Sequence, residues 1–84
     1  MNKIKILFFA TLRDRAGTKS VELEVPADLN VGALKDRLAS DYPNLKEFLK
    51  NVLVSVNREY AFDETILPPD AEIALFPPVS GGSH

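Results

Sequence analysis

The chain contains no cysteine. That absence excludes a disulfide framework, a cysteine-based zinc site and any thiol chemistry carried by its own side chains. There is one histidine, His84, and a lone imidazole beside no other ligand type gives no metal or catalytic centre. No apolar run approaches the ~20 residues needed to span a membrane. The N-terminus lacks the layout of a secretory signal, because Met1-Asn2-Lys3 leads straight into a strand pattern. Net charge is −2 with both signs interspersed, so no basic face marks a nucleic-acid partner. Repeats, low-complexity tracts and domain linkers are also missing. The expectation is a cytoplasmic protein of one small domain, with no nucleic-acid and no membrane partner. Its 84 residues bury only about 60–65% of the unfolded surface, so the core is modest.

What is present alternates and then turns helical. From Lys3 to Ala10, Ile4, Ile6 and Phe8 fall on one side and Lys3, Lys5, Leu7 and Phe9 on the other. The second side turns apolar partway along, which suits a central strand partly covered on both faces. Thr11 to Lys19 is polar and contains Gly17, and reads as a loop. Ser20 to Val25 alternates cleanly, with Val21, Leu23 and Val25 inward, and Pro26 ends it. The two strands are expected to form a hairpin.

Asn30 is placed to cap a helix starting at Val31, with Val31, Leu34 and Leu38 as its apolar stripe. That helix should stop before Pro43. Asn44 with Glu47 resembles a capping box for a short second helical turn carrying Leu45, Phe48 and Leu49. Val52, Val54 and Val56 predict a third strand, Asn57-Arg58-Glu59 a turn, and Tyr60-Ala61-Phe62 a short edge strand. Asp63 to Ala71, with Pro68-Pro69, reads as loop, and Glu72 to Phe76 as the last strand. One long helix across one face of a mixed four- to five-stranded sheet is an α+β roll. By fold analogy, the first and last strands lie side by side and parallel at its centre, the β-grasp or ubiquitin-like arrangement.

The most informative segment follows the last strand: Phe76-Pro77-Pro78-Val79-Ser80-Gly81-Gly82, then Ser83-His84. Prolines cannot continue a sheet ladder, and they stiffen an extended backbone. Glycines lack side chains and enter slots too narrow for other residues. Residues 79 to 82 reach roughly 13–14 Å when extended, enough to carry a carboxyl group into a partner's active site. The division expected is a folded domain over 1–76, a tail over 77–82 and a separate extension at 83–84. Phe9 and Phe76, and Tyr60 with them, are candidates for an apolar interface near the tail as readily as for plain core. Arg13, Asp14 and Arg15 read as a solvated loop with weak ion pairs, Arg13 being the candidate partner contact. Asp63, Glu64, Asp70 and Glu72 are acidic without a recognisable ligand spacing, and no metal site is expected.

Over essentially its whole length the chain resembles the small subunits of molybdopterin synthases, a family of ubiquitin-like sulfur carriers. Four segments carry the resemblance: residues 6–14 (Ile-Leu-Phe-Phe-Ala-Thr-Leu-Arg-Asp), 55–60 (Ser-Val-Asn-Arg-Glu-Tyr), 70–76 (Asp-Ala-Glu-Ile-Ala-Leu-Phe) and 77–82 (Pro-Pro-Val-Ser-Gly-Gly). The chain departs from the family at Asp14, where Glu is frequent, and at Asp70-Ala71-Glu72, where Gly-Asp-Glu is usual. It also carries Ser83-His84 beyond the glycine at which the family ends. Those two residues are expected to be either the opening of an expression tag or a native extension removed by a protease.

The resemblance implies that Gly82 is the reacting residue. A ubiquitin-activating-like enzyme adenylates its carboxylate with ATP, and a sulfur donor displaces AMP to leave a thiocarboxylate. The large subunit of the synthase then receives the tail and uses the sulfur on a pterin precursor, within a heterotetramer. Pro77, Pro78, Val79, Ser80 and Gly81 would thread the tail, and Phe9, Arg13, Tyr60 and Phe76 would meet the partner. No bound cofactor is implied; ATP is consumed by the activating enzyme. Three alternatives remain open: a ubiquitin-like modifier joined through Gly82 to target lysines, a carrier for another thiolation pathway, and a plain interaction domain with an inert tail.

Overall fold

Ile4, Ile6 and Phe8, alternating with Lys3, Lys5 and Leu7, form strand β1 (Asn2–Phe8) in the computed structural model, which describes residues 1–78. The other strands are β2 (Ser20–Val25), β3 (Leu53–Val56), β4 (Glu59–Tyr60) and β5 (Glu72–Phe76). They make one sheet in the order β2-β1-β5-β3-β4. β1 and β5 are parallel, with Ile6 opposite Ile73 and Phe8 opposite Leu75, whereas every other pairing is antiparallel. This is the expected α+β roll of the β-grasp type, with the first and last strands adjacent at its centre.

The main helix, α2 (Val31–Asp41), starts at Asn30, whose Oδ1 accepts the Ala33 N–H at 2.8 Å. The two preceding amides also find acceptors, Val31 on the Thr65 carbonyl at 3.0 Å and Gly32 on that of Asp63 at 2.9 Å. The first donors of α2 are thus satisfied by one side chain and by the loop before β5. Its stripe of Val31, Leu34 and Leu38 joins Ile4, Ile6, Phe8, Val54, Val56, Ile73 and Leu75 in one buried cluster.

Three sequence expectations are corrected. Thr11 to Lys19 is not loop throughout: Thr11–Ala16 forms helix α1, closed by Gly17 at φ 78°, whose N–H donates to the Arg13 carbonyl. Leu12 is fully buried and holds this helix down; burying a leucine contributes about 1.5–3 kcal/mol, which a helix this short needs. β1 and β2 therefore pair antiparallel as expected but are joined through a helix. Asn44 is not a cap, because Pro43 opens a 3₁₀ turn (Pro43–Leu45) that runs into α3 (Lys46–Leu49) with no side-chain cap. Asn44 lies inside that turn. The edge strand is shifted toward the N-terminus: β4 is Glu59–Tyr60, and the Phe62 N–H turns instead to Thr65 Oγ1.

Candidate docking face and tail exit

The sheet face turned away from α2 carries a row of side chains that the register lines up. Leu7 faces Ala74, Ala74 faces Ser55, and Ser55 faces Tyr60, each on a neighbouring strand. Ala74 and Ser55 are small, so the middle of the row is low. An open groove of about 360 Å³ results, with Leu7, Ala74 and Ser55 along it. Phe9 and Phe76 bound one end and Tyr60, Arg58 and Glu72 the other.

Phe9 and Phe76 are stacked, their ring centroids 4.7 Å apart and their planes 13° from parallel. The Phe9 N–H also reaches the Leu75 carbonyl at 3.3 Å. Phe76 is the last residue of β5 and pairs with Leu53 on its other flank. Phe9 remains 40% exposed and Tyr60 78%. An aromatic cluster left this open is a surface for a partner to cover.

Of the residues singled out by sequence, Phe9, Tyr60 and Phe76 share this groove. Arg13 stands apart, exposed on α1 and not among the residues lining the groove. Pro77 is half-buried and Pro78 exposed, directly after Phe76. Val79, Ser80, Gly81 and Gly82, with Ser83-His84, lie outside the described residues.

Arg58, Ser55, Ala74 and Leu7 do not stand out in the sequence as site residues, and Glu72 stands out there only as one of an acidic group. The alternation of β1, β3 and β5 places Leu7, Ser55 and Ala74 on the face away from the core, but only the register shows that they form one row. Arg58 sits in the turn between β3 and β4 at φ 73°, following Asn57 at φ 51°. Positive φ at both central residues is the type I′ pattern, which suits a tight hairpin and favours Asn then Gly. Here arginine takes the glycine place and brings a cation to the groove.

Elsewhere the charged groups make surface pairs. Lys35 Nζ meets Asp63 Oδ1 at 2.8 Å, tying α2 to the loop, and Lys3 lies 3.5 Å from Glu22. Among the described residues, no group of three or more His, Asp or Glu is placed to hold a metal ion. No helix among them is long and apolar enough to cross a membrane. The site as described offers shape, aromatic surface and one charge of each sign, and no constellation of nucleophile and base.

A family model described as the ThiS family matches residues 6–82. A protein of Arabidopsis thaliana named molybdopterin synthase sulfur carrier subunit is 34% identical over 80 residues, covering 95% of this chain and 83% of that one. A Mycobacterium tuberculosis protein of the same name is 35% identical over 83 residues, covering 98% of this chain and 100% of that one. Among solved structures, SAMP1 from Haloferax volcanii superimposes with a TM-score of 0.83 at 31% identity, over 96% of this chain and 100% of that one.

Proposed function

The chain belongs to the ThiS family, and from that premise we propose that it is the sulfur-carrier subunit of a molybdopterin synthase. The observation that carries the reading is the junction of groove and tail. Phe76 belongs to the exposed aromatic end of the groove and is followed at once by Pro77-Pro78. A partner that grips this face takes the diglycine tail directly into its own active site. Curated relatives at 34% and 35% identity bearing the sulfur-carrier name support the same reading.

The chemistry follows from what a carboxylate lacks. It is a poor electrophile, so an adenylating enzyme joins a Gly82 oxygen to the α-phosphorus of ATP and releases pyrophosphate. A sulfur nucleophile then attacks the acyl carbon, AMP leaves, and a thiocarboxylate remains. In the synthase the sulfur attacks the pterin precursor, and water restores the carboxylate. Gly82 suits this because a side chain would crowd the acyl carbon, and Gly81 lets the backbone approach closely. The large subunit and the activating enzyme supply the catalytic groups. This chain contributes the docking face through Phe9, Tyr60 and Phe76, with Arg13 as a further contact, and the tail. The reaction belongs in the cytoplasm.

The likeness to SAMP1, a further structure of which is titled H. volcanii small archaeal modifier protein 1, gives a second reading: conjugation of Gly82 to lysines of targets. Intact-mass measurement of the protein isolated from its own cells separates the two. A chain ending at Gly82 with one oxygen replaced by sulfur is the expected result. Ladders of lysine conjugates with no thiocarboxylate would favour the modifier.

A further inference from the structure

Ala10 has φ 52° and ψ −126°. These angles belong to the first central position of a type II′ turn, which glycine occupies at no steric cost and other residues avoid. The turn is closed by the Leu12 N–H, which donates to the Phe9 carbonyl at 3.1 Å. Ala10 is exposed and stands at the start of α1 with no side-chain cap, so neither burial nor capping offsets the strain. The surroundings hold it from both sides. The Phe8 N–H donates to the Lys19 carbonyl at 2.8 Å, the Phe9 N–H to that of Leu75 at 3.3 Å, and the Asp14 N–H to that of Ala10 at 3.3 Å. Strain that persists because its neighbours over-determine it clusters at functional positions.

The turn redirects the chain immediately after Phe9, and Phe9 lies flat against Phe76. We propose that Ala10 is a positioning residue, whose strained turn clamps Phe9 onto Phe76 and so fixes the direction in which the tail leaves the sheet. Pro77 and Pro78, with φ locked by their rings, carry that direction outward. The proposal rests on the sulfur-carrier reading, since aim matters only if Gly82 has to reach a reacting centre on a partner. Orientation of a reacting group is worth large factors in rate, and small misplacements lose them.

The test is Ala10→Gly in the chain ending at Gly82, assayed for pyrophosphate release with its activating enzyme and ATP. Glycine relieves the strain and frees the turn together. Tm should rise by roughly 4 °C and kcat should fall about three- to tenfold, while KM changes by less than kcat because Leu7, Ser55, Ala74, Arg58 and Tyr60 keep their places in the groove. Phe9→Leu, which removes the stacked ring, should lower kcat by a similar factor. A purely structural alanine gives a glycine variant at least as active as the parent. An unchanged kcat overturns the proposal, and so does a loss accompanied by a lower Tm or by a KM raised as much as kcat is lowered. An unsubstituted chain that releases no pyrophosphate overturns the sulfur-carrier reading and the proposal with it, a result distinct from the other two.

Discussion

Asn57 holds both backbone polar groups of Glu72. Its Oδ1 accepts the Glu72 N–H at 2.9 Å, and its own N–H donates to the Glu72 carbonyl at 2.8 Å. One residue of the β3–β4 turn thereby fastens the start of β5, the strand that ends at the tail. Asn57 also sits at φ 51°, where asparagine is tolerated better than most residues. Asn57→Ala loses the side-chain bond and strains the backbone, and should lower stability by about 1–2 kcal/mol. Asn57→Gly loses the bond alone and should cost about half as much. Thermal unfolding of the two variants measures the difference; equal losses would show that the backbone conformation contributes nothing.

Arg58 presents the opposite balance. At φ 73° it takes a place that favours glycine, so Arg58→Gly should stabilise the domain by about 0.5–1 kcal/mol. The same change removes a cation from the groove. Association with the large subunit should weaken several-fold, and its salt dependence should flatten. Thermal unfolding and titration at two salt concentrations read both effects. A stabilised variant that binds with the parent's affinity and salt dependence would remove Arg58 from the docking face.

Phe76 is the centre of the proposed contact. Phe76→Arg keeps the strand backbone and puts a charge into the aromatic end of the groove. The fold should survive, as judged by far-UV circular dichroism, while association with the purified large subunit weakens by more than about tenfold, or 1.4 kcal/mol. Normal binding would mean that the partner grips another face.

The alternation of Ile4-Ile6-Phe8, Val52-Val54-Val56 and Ile73-Leu75 made the core side of the sheet legible, and Asn30 followed by Val31, Leu34 and Leu38 made α2 legible. These patterns repeat often enough to show their period. Helix α1 does not: its six residues bury Leu12 alone, and one apolar residue has no period. Asn44 mimicked a cap because its spacing to Glu47 is right, but Pro43 had already begun the turn. Phe9 and Phe76 were legible as aromatics near the tail, and Tyr60 as an exposed aromatic on the edge strand, which lies at the other end of the same groove. The groove between them was not, since it depends on Ser55 and Ala74 being small and adjacent across two strands. The strain at Ala10 has no sequence signature either, because the chain has alanine where the turn favours glycine.

Adenylation of Gly82 is the most direct test of the account. Ser83-His84 follow Gly82 in the sequence, so the Gly82 carbonyl is held in a peptide bond, which cannot be adenylated. The measurement is pyrophosphate release by a purified activating enzyme with ATP and no protease, comparing the full chain with one stopped at Gly82. Release is expected from the shortened chain and none from the one that continues to His84. Equal release from both would contradict it, because the reacting carboxylate would then not be that of Gly82.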